Sequence, residues 1–259
     1  MAARIRVLQL AITVVNVTIL ALAFTSIWPF PSGDFRVDLP SADEVEWSYA
    51  AGTVTVSAPY TIDNGGFYDV ADLVLSYEVT NYTNALIHES TLSIGDIPSG
   101  SVRADIIEFD IPLQQMYESG DTSMVFNDDW LNFRVEVSCF YTMRLIKFDA
   151  AYQVAVPWEA LIEEMAIDAV RYAGGQITVD YRVTTSELLS GTATLEIAVY
   201  QGSTLVDQQY DTIGLGTTSL GTVVLSGASA PGTYTVVLRA DIYGFLAEHR
   251  ESYPLGVVA

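Results

Sequence analysis

The sequence predicts an all-β protein: a single N-terminal transmembrane helix followed by two tandem immunoglobulin-like β-sandwiches. Three observations carry this expectation. Val7–Ile27 is a continuous apolar run without a charge. Beyond it, apolar and polar residues alternate with period two along most of the chain, the pattern of half-buried strands. Turn-forming residues cut that alternation at short intervals, and no 3.6-residue pattern persists outside the leading run and residues 158–165.

The apolar run comprises roughly 21 residues and would span roughly 32 Å as a helix, enough for a hydrocarbon core of about 30 Å. Arg4 and Arg6 precede it, so the positive-inside rule places the N-terminus in the cytoplasm and the bulk of the chain outside. Trp28 and Phe30 suit the far interface, and Pro29 and Pro31 stop the helix there. A cleaved signal peptide is the rival reading, with Ala21-Leu22-Ala23 as the small-x-small site. Both readings export the remainder of the chain. Gln9, Thr13 and Asn16 share one helical face, which fits a helix–helix contact in the membrane; backbone bonding by Thr13 and a tolerated Asn16 explain them equally.

Residues 32–157 form the first expected sandwich, after a polar spacer through Pro40. Strands are expected over 53–62, Val70–Asn81, 86–94, 102–111 and Ser123–Phe126, with two more within 131–156. In Val70–Asn81, Ala71, Leu73, Leu75, Tyr77 and Val79 fall on one face. Asn64-Gly65-Gly66 and Ile97-Pro-Ser-Gly-Ser101 read as turns, the first because Asn and Gly accept positive φ. Pro112–Glu118 suits one or two helical turns. Residues 158–165, mildly helical in pattern, mark the boundary. From 158 to 259 there are seven β-like runs, over 166–172, 176–185, 192–201, 204–210, 217–226, 232–242 and 247–253. Seven short strands with regular turns are the pattern of an immunoglobulin-like sandwich. Gly202-Ser203 between two runs is a two-residue hairpin signal.

The formal net charge is −21, which sets nucleic acid and anionic headgroups aside as partners of the exported part. Cys139, the single cysteine, excludes an intrachain disulfide. Its parity with Val135 and Val137 reads as a small core residue, with an intermolecular disulfide as the alternative. The only histidines, His88 and His249, lie in different expected domains, so neither a zinc cluster nor a His-dependent triad is indicated. No phosphate-binding glycine loop appears, and no cofactor is expected. Asp128-Asp129 and the group Asp43, Glu44 and Glu46 offer hard oxygen donors for Ca²⁺, or are simply solvated acidic loops. Asn81-Tyr82-Thr83 is an N-glycosylation sequon at a strand end.

The first half resembles the late-embryogenesis-abundant group 14 domain, also called the water-stress and hypersensitive-response domain. The resemblance rests on Val56-Ser-Ala-Pro-Tyr-Thr-Ile-Asp-Asn-Gly-Gly66, the long strand to Asn81, Ile97-Pro-Ser-Gly-Ser-Val102 and the closing Val156-Pro-Trp158. It covers roughly residues 40–158 and implies a Greek-key β-sandwich with no catalytic residues. The second half resembles fibronectin-III or CARDB-type adhesion modules, and the whole build resembles uncharacterised archaeal membrane-anchored surface proteins. The expected role is therefore non-catalytic: a single-pass cell-membrane protein whose exported sandwiches meet a protein partner, or a second copy, through strand edges or loops. Ser123–Phe126 and 247–253 are the candidate edges. A Ca²⁺- or glycan-binding adhesion module is the alternative.

Overall fold

The computed structural model describes residues 15–22, 24–25, 28–41, 44–228 and 232–255. It is mostly strand, arranged in sandwich-like sheets. Among the described residues, no helix is long and apolar enough to cross a membrane. Helical backbone covers 15–22, within the run expected to span; Gln9 and Thr13 lie outside the described residues. The chain divides into two compact units. The first takes in Met1–Glu46, Val56–Phe109 and Leu131–Val156; the second takes in Trp47–Thr55, Asp110–Trp130 and Pro157–Ala259. Residues 47–55 and 110–130, which the sequence places in the first sandwich, thus group with the second.

In the first unit, β1 (Phe35–Asp38), β3 (Thr53–Asn64) and β6 (Ser101–Ile111) lie in one sheet; β2 (Glu46–Ala50) pairs with β3, and all of β2 but Glu46 groups with the second unit, as do the first three residues of β3. The other sheet has the order β5-β4-β7-β8, from β4 (Val70–Thr80), β5 (Leu86–Ile97), β7 (Asp129–Tyr141) and β8 (Ile146–Trp158). Val56, Ile62, Leu73, Leu75, Val79, Ile107, Phe109 and Leu131 fill its core. The alternation in β4 is real but shifts parity once. Asp72 has φ +51, and the β4–β5 register slips on both sides of Leu73. This bulge buries Val70 in place of the expected Ala71.

Gly65-Gly66 is not a hairpin turn. It carries the chain from β3 to β4, which belong to different sheets. Neither glycine has positive φ. Glycine is needed at 66 for space: a Cβ there would overlap the Tyr141 hydroxyl and lie 3.2 Å from Pro29. The buried Asn64 fastens this crossover, its Nδ2 donating to the carbonyls of Tyr68 (3.0 Å) and Ile97 (2.9 Å).

The second unit has a three-stranded sheet, β13-β10-β9, and a four-stranded sheet, β12-β11-β14-β15. The strands are β9 (Ile162–Ala173), β10 (Gln176–Thr185), β11 (Thr192–Gln201), β12 (Thr204–Gly214), β13 (Thr218–Leu225), β14 (Gly232–Ile242) and β15 (Phe245–Leu255). The first, second and fifth strands pair in one sheet, the rest in the other. Gly202-Ser203 closes its hairpin, with Gln201 opposite Thr204 and Gly202 at φ +60.

Two expectations fail in detail. Ser123–Phe126 is a helical turn, α3, and not a strand: Met124 and Val125 are neighbours in sequence and both buried, which alternation forbids. Residues 158–165 are not helical either. Ala160, Leu161 and Ile162 are consecutive and buried, and β9 begins at Ile162. Pro112 does open a short helix, α2 (Leu113–Glu118), α1 being the turn Pro29–Ser32. The borrowed segments are bound into the second unit. The Gln114 N–H donates to the Gly52 carbonyl (2.8 Å), and the Trp158 indole N–H donates to the Met124 carbonyl (2.8 Å). Tyr49, Tyr117, Tyr243 and Phe245 form an aromatic cluster, with Tyr117 edge-on to Phe245 at 5.3 Å.

Candidate interaction surfaces

Two strands end their sheets in a way that bears on binding. β15 borders the four-stranded sheet of the second unit, as expected for 247–253, and pairs with β14 over its whole length. Its inward side chains Phe245, Ala247 and Leu255 are buried. Its outward face is charged: Glu248 accepts from Arg239 Nε at 2.6 Å and lies 3.2 Å from Arg250. The hydrogen bond from Arg239, above all, holds the Glu248 carboxyl below the usual glutamate range.

β8 borders the corresponding sheet of the first unit. Its stretch Ala150-Ala-Tyr-Gln-Val-Ala-Val156 carries no charge. Residues 149–155 are exposed on both faces, with Tyr152 at 56 % and Val154 at 39 %. Lys147 and Asp149 pair with each other at 2.9 Å just before it. Beyond β8 the sheet has no further strand among the described residues. A long, uncharged, exposed edge offers a row of backbone donors and acceptors to an incoming strand.

The outer face of the same sheet holds a shallow groove of about 510 Å³. Ser76 and Glu78 of β4, Glu89 and Thr91 of β5, and Arg134 and Glu136 of β7 line it. Glu78 stands opposite Glu89 on one side and Arg134 on the other; Arg134 is held by Glu136 at 2.7 Å.

The Ca²⁺ candidates do not converge. Asp128 Oδ1 accepts the Ala160 N–H (3.1 Å), and Asp129 is buried with Oδ1 accepting the Trp130 N–H (2.6 Å). Asp129 Oδ2 is buried with no hydrogen-bond partner. Glu44 accepts from the Ser41 N–H and hydroxyl at 2.9 and 2.8 Å. Glu46 is an exposed residue of β2, and Asp43 lies outside the described residues. Among the described residues no three His, Cys, Asp or Glu side chains are placed to hold a metal ion. Sequence reasoning missed that Asp128 stands near Glu163: burial first, then Glu159, Asp128 and Glu187, raise the Glu163 pKa.

Asn81 is only 4 % exposed. Its Oδ1 accepts from the Thr83 N–H and hydroxyl and from the Ala85 N–H, at 2.7–3.0 Å. The folded loop therefore uses Asn81 as its organiser and does not present it to a glycan. Asn16 is exposed on its helical segment. Cys139 is buried, and burial pushes its thiol up to about 11, as a core residue should behave. His88 stacks against both Tyr77 (5.6 Å) and Phe109 (5.2 Å), which also touch each other, and is a packing residue.

No family model matches the chain, and no curated protein matches it. Among solved structures it is similar to red sea bream transglutaminase (10 % identity, TM-score 0.32), covering 85 % of this chain and 31 % of that one. A glycosyl hydrolase family 2 member from Bacteroides cellulosilyticus gives 11 % and 0.33, covering 78 % of this chain and 27 % of that one. The chicken interferon gamma receptor alpha chain gives 11 % and 0.30, covering 86 % and 100 %. The chain thus spans less than a third of the length of the two enzymes. Scores this low carry no argument about fold or function.

Proposed function

We propose that the protein is a non-catalytic, membrane-anchored interaction module of the cell surface. Val7–Ile27 stays in the bilayer as a single-pass anchor with the N-terminus inside, and both units lie outside as parts of a larger surface assembly. The strand order of the second unit supports the fibronectin-III-type reading of that half. The observation that carries the binding role is the β8 edge: an uncharged, exposed run from Ala150 to Ala155 at the border of a sheet. A partner strand would add there by main-chain hydrogen bonds, with Tyr152 and Val154 offering apolar contacts.

Capture of the full chain after mild detergent extraction tests this. The expected result is a stoichiometric partner, or a second copy, that is lost when Gln153→Lys places a charge on the edge. Retention of the same partner by that variant, or no stoichiometric partner at all, overturns it. The groove beside Glu78 and Arg134 is the observation that favours the glycan-binding alternative, through its hydroxyl and carboxylate lining. Saturable binding of surface glycan that Arg134→Ala abolishes would select it.

A further inference from the structure

The N-terminal segment is fastened to one particular end of the first unit. The hydroxyls of Thr25 and Tyr68 are hydrogen-bonded at 2.9 Å, Pro29 is buried, and the Gly65 N–H donates to the Asp34 carbonyl at 2.6 Å. The Tyr68 N–H in turn donates to the Tyr141 hydroxyl (3.1 Å), and their rings meet edge-on at 5.6 Å. Tyr141 is the last residue of β7, so the turn 142–145 leads off from this same end. Arg144 ties the turn to Asp72 near the start of β4 (3.1 Å).

This end presents large apolar side chains to solvent. Phe67 is 60 % exposed, Met143 77 % and Leu145 74 %. Phe24 and Trp28, stacked at 5.1 Å where the apolar segment arrives, are exposed as well. Thr142, Met143 and Arg144 hold φ of +50°, +55° and +67°, a left-handed run that side chains other than glycine adopt at a cost. Scattered exposed apolar residues need no explanation, but several gathered beside the exit of an apolar segment do. The nearby carboxylates are engaged locally: Asp34 by Ser32, Asp69 by the Ser99 N–H and Asp72 by Arg144.

We propose that this end is a foot resting on the bilayer, with Phe67, Met143 and Leu145 inserted at the interface of a zwitterionic lipid surface. The inference rests on the anchored reading above. Aromatic and apolar tips settle at headgroup depth, and the protein's strong negative charge disfavours anionic lipid there. The foot fixes the first unit's long axis relative to the membrane and places the loop 81–85, at the other end of β4, roughly 33 Å away.

The test uses the full chain in phosphatidylcholine vesicles, with single cysteines at Met143→Cys, Leu145→Cys and Leu86→Cys carrying an environment-sensitive fluorophore. Cys139 is buried with a raised thiol pKa and stays unlabelled. Leu86 is also exposed but lies opposite Thr80, at the far end of β4. Shallow doxyl-lipid quenching several-fold stronger at 143 and 145 than at 86 is the expected result. Equal quenching at all three positions, in chain that floats with the vesicles, overturns the foot alone. Failure to float overturns the anchored reading and the foot with it.

Discussion

β8 and β15 both border four-stranded sheets, yet they are finished in opposite ways. β15 buries Phe245, Ala247 and Leu255 on its inner face and places Glu248 and Arg250 on its outer one. Those are devices that keep a free edge from pairing with another chain. β8 has seven consecutive uncharged residues and exposes both of its faces. Position at an edge is therefore not enough to define a docking strand. What counts is whether the edge is used for the protein's own core and whether charge guards it. In the three-stranded sheet, β9 carries Glu163 and Glu164, and on β13 the Tyr181 ring lies over Gly221.

The largest expected effect separates core edge from free edge. Phe245→Ala on β15 should cost about 3–5 kcal/mol in urea unfolding of the second unit, because the ring is fully buried in the aromatic cluster. Tyr152→Ala on β8 should stay within about 0.5 kcal/mol of the parent, since the side chain is more than half exposed. Comparable losses for the two would remove the distinction. Next is Gly221→Ala. A Cβ there would overlap the Tyr181 ring, whose hydroxyl is fixed to Asp211 at 2.6 Å, so a loss of about 1–3 kcal/mol is expected. The loss should shrink when Tyr181 is truncated in the same chain, as a double-mutant cycle would read directly.

The smallest effect concerns the guarding charges. The folded Glu248 carboxyl is held below the ordinary glutamate value of 4.5, so its contribution to stability is present above that value. It is lost as pH falls through the lower, folded value. The group is on the surface, so the contribution is at most about 1 kcal/mol and weakens with salt. Glu248→Gln should lower the melting temperature slightly near neutral pH and match the parent once the pH is below the folded value. A difference that persists in strong acid would mean Glu248 acts through packing.

Much of the second unit was legible in its residues. Gly174 and Gly175, and Gly202 ahead of Ser203, adopt the positive φ that two-residue hairpins need, and the alternation between these turns has a fixed period. The first unit was legible in its strands but not in its connections. Asn64-Gly65-Gly66 has the composition of a hairpin turn, yet it serves close packing against Tyr141 and Pro29. Ser123–Phe126 reads as a strand only because four residues cannot separate strand from helical turn by periodicity. The sequon at Asn81 gave no hint that the loop buries its asparagine. The edge character of β8 was hidden for a different reason: an uncharged run reads alike whether a neighbouring strand covers it or solvent does.

Local sequence thus determined that the chain would be strand, where most strands would lie, and that Cys139 would face a core, because side-chain alternation and turn preference act over a few residues. Which strands became borders, which loops joined which unit, and which apolar side chains were left outside were decided by tertiary structure. Those outcomes depend on pairing and burial between residues far apart in the chain, such as Tyr141 with Tyr68 or Trp158 with Met124.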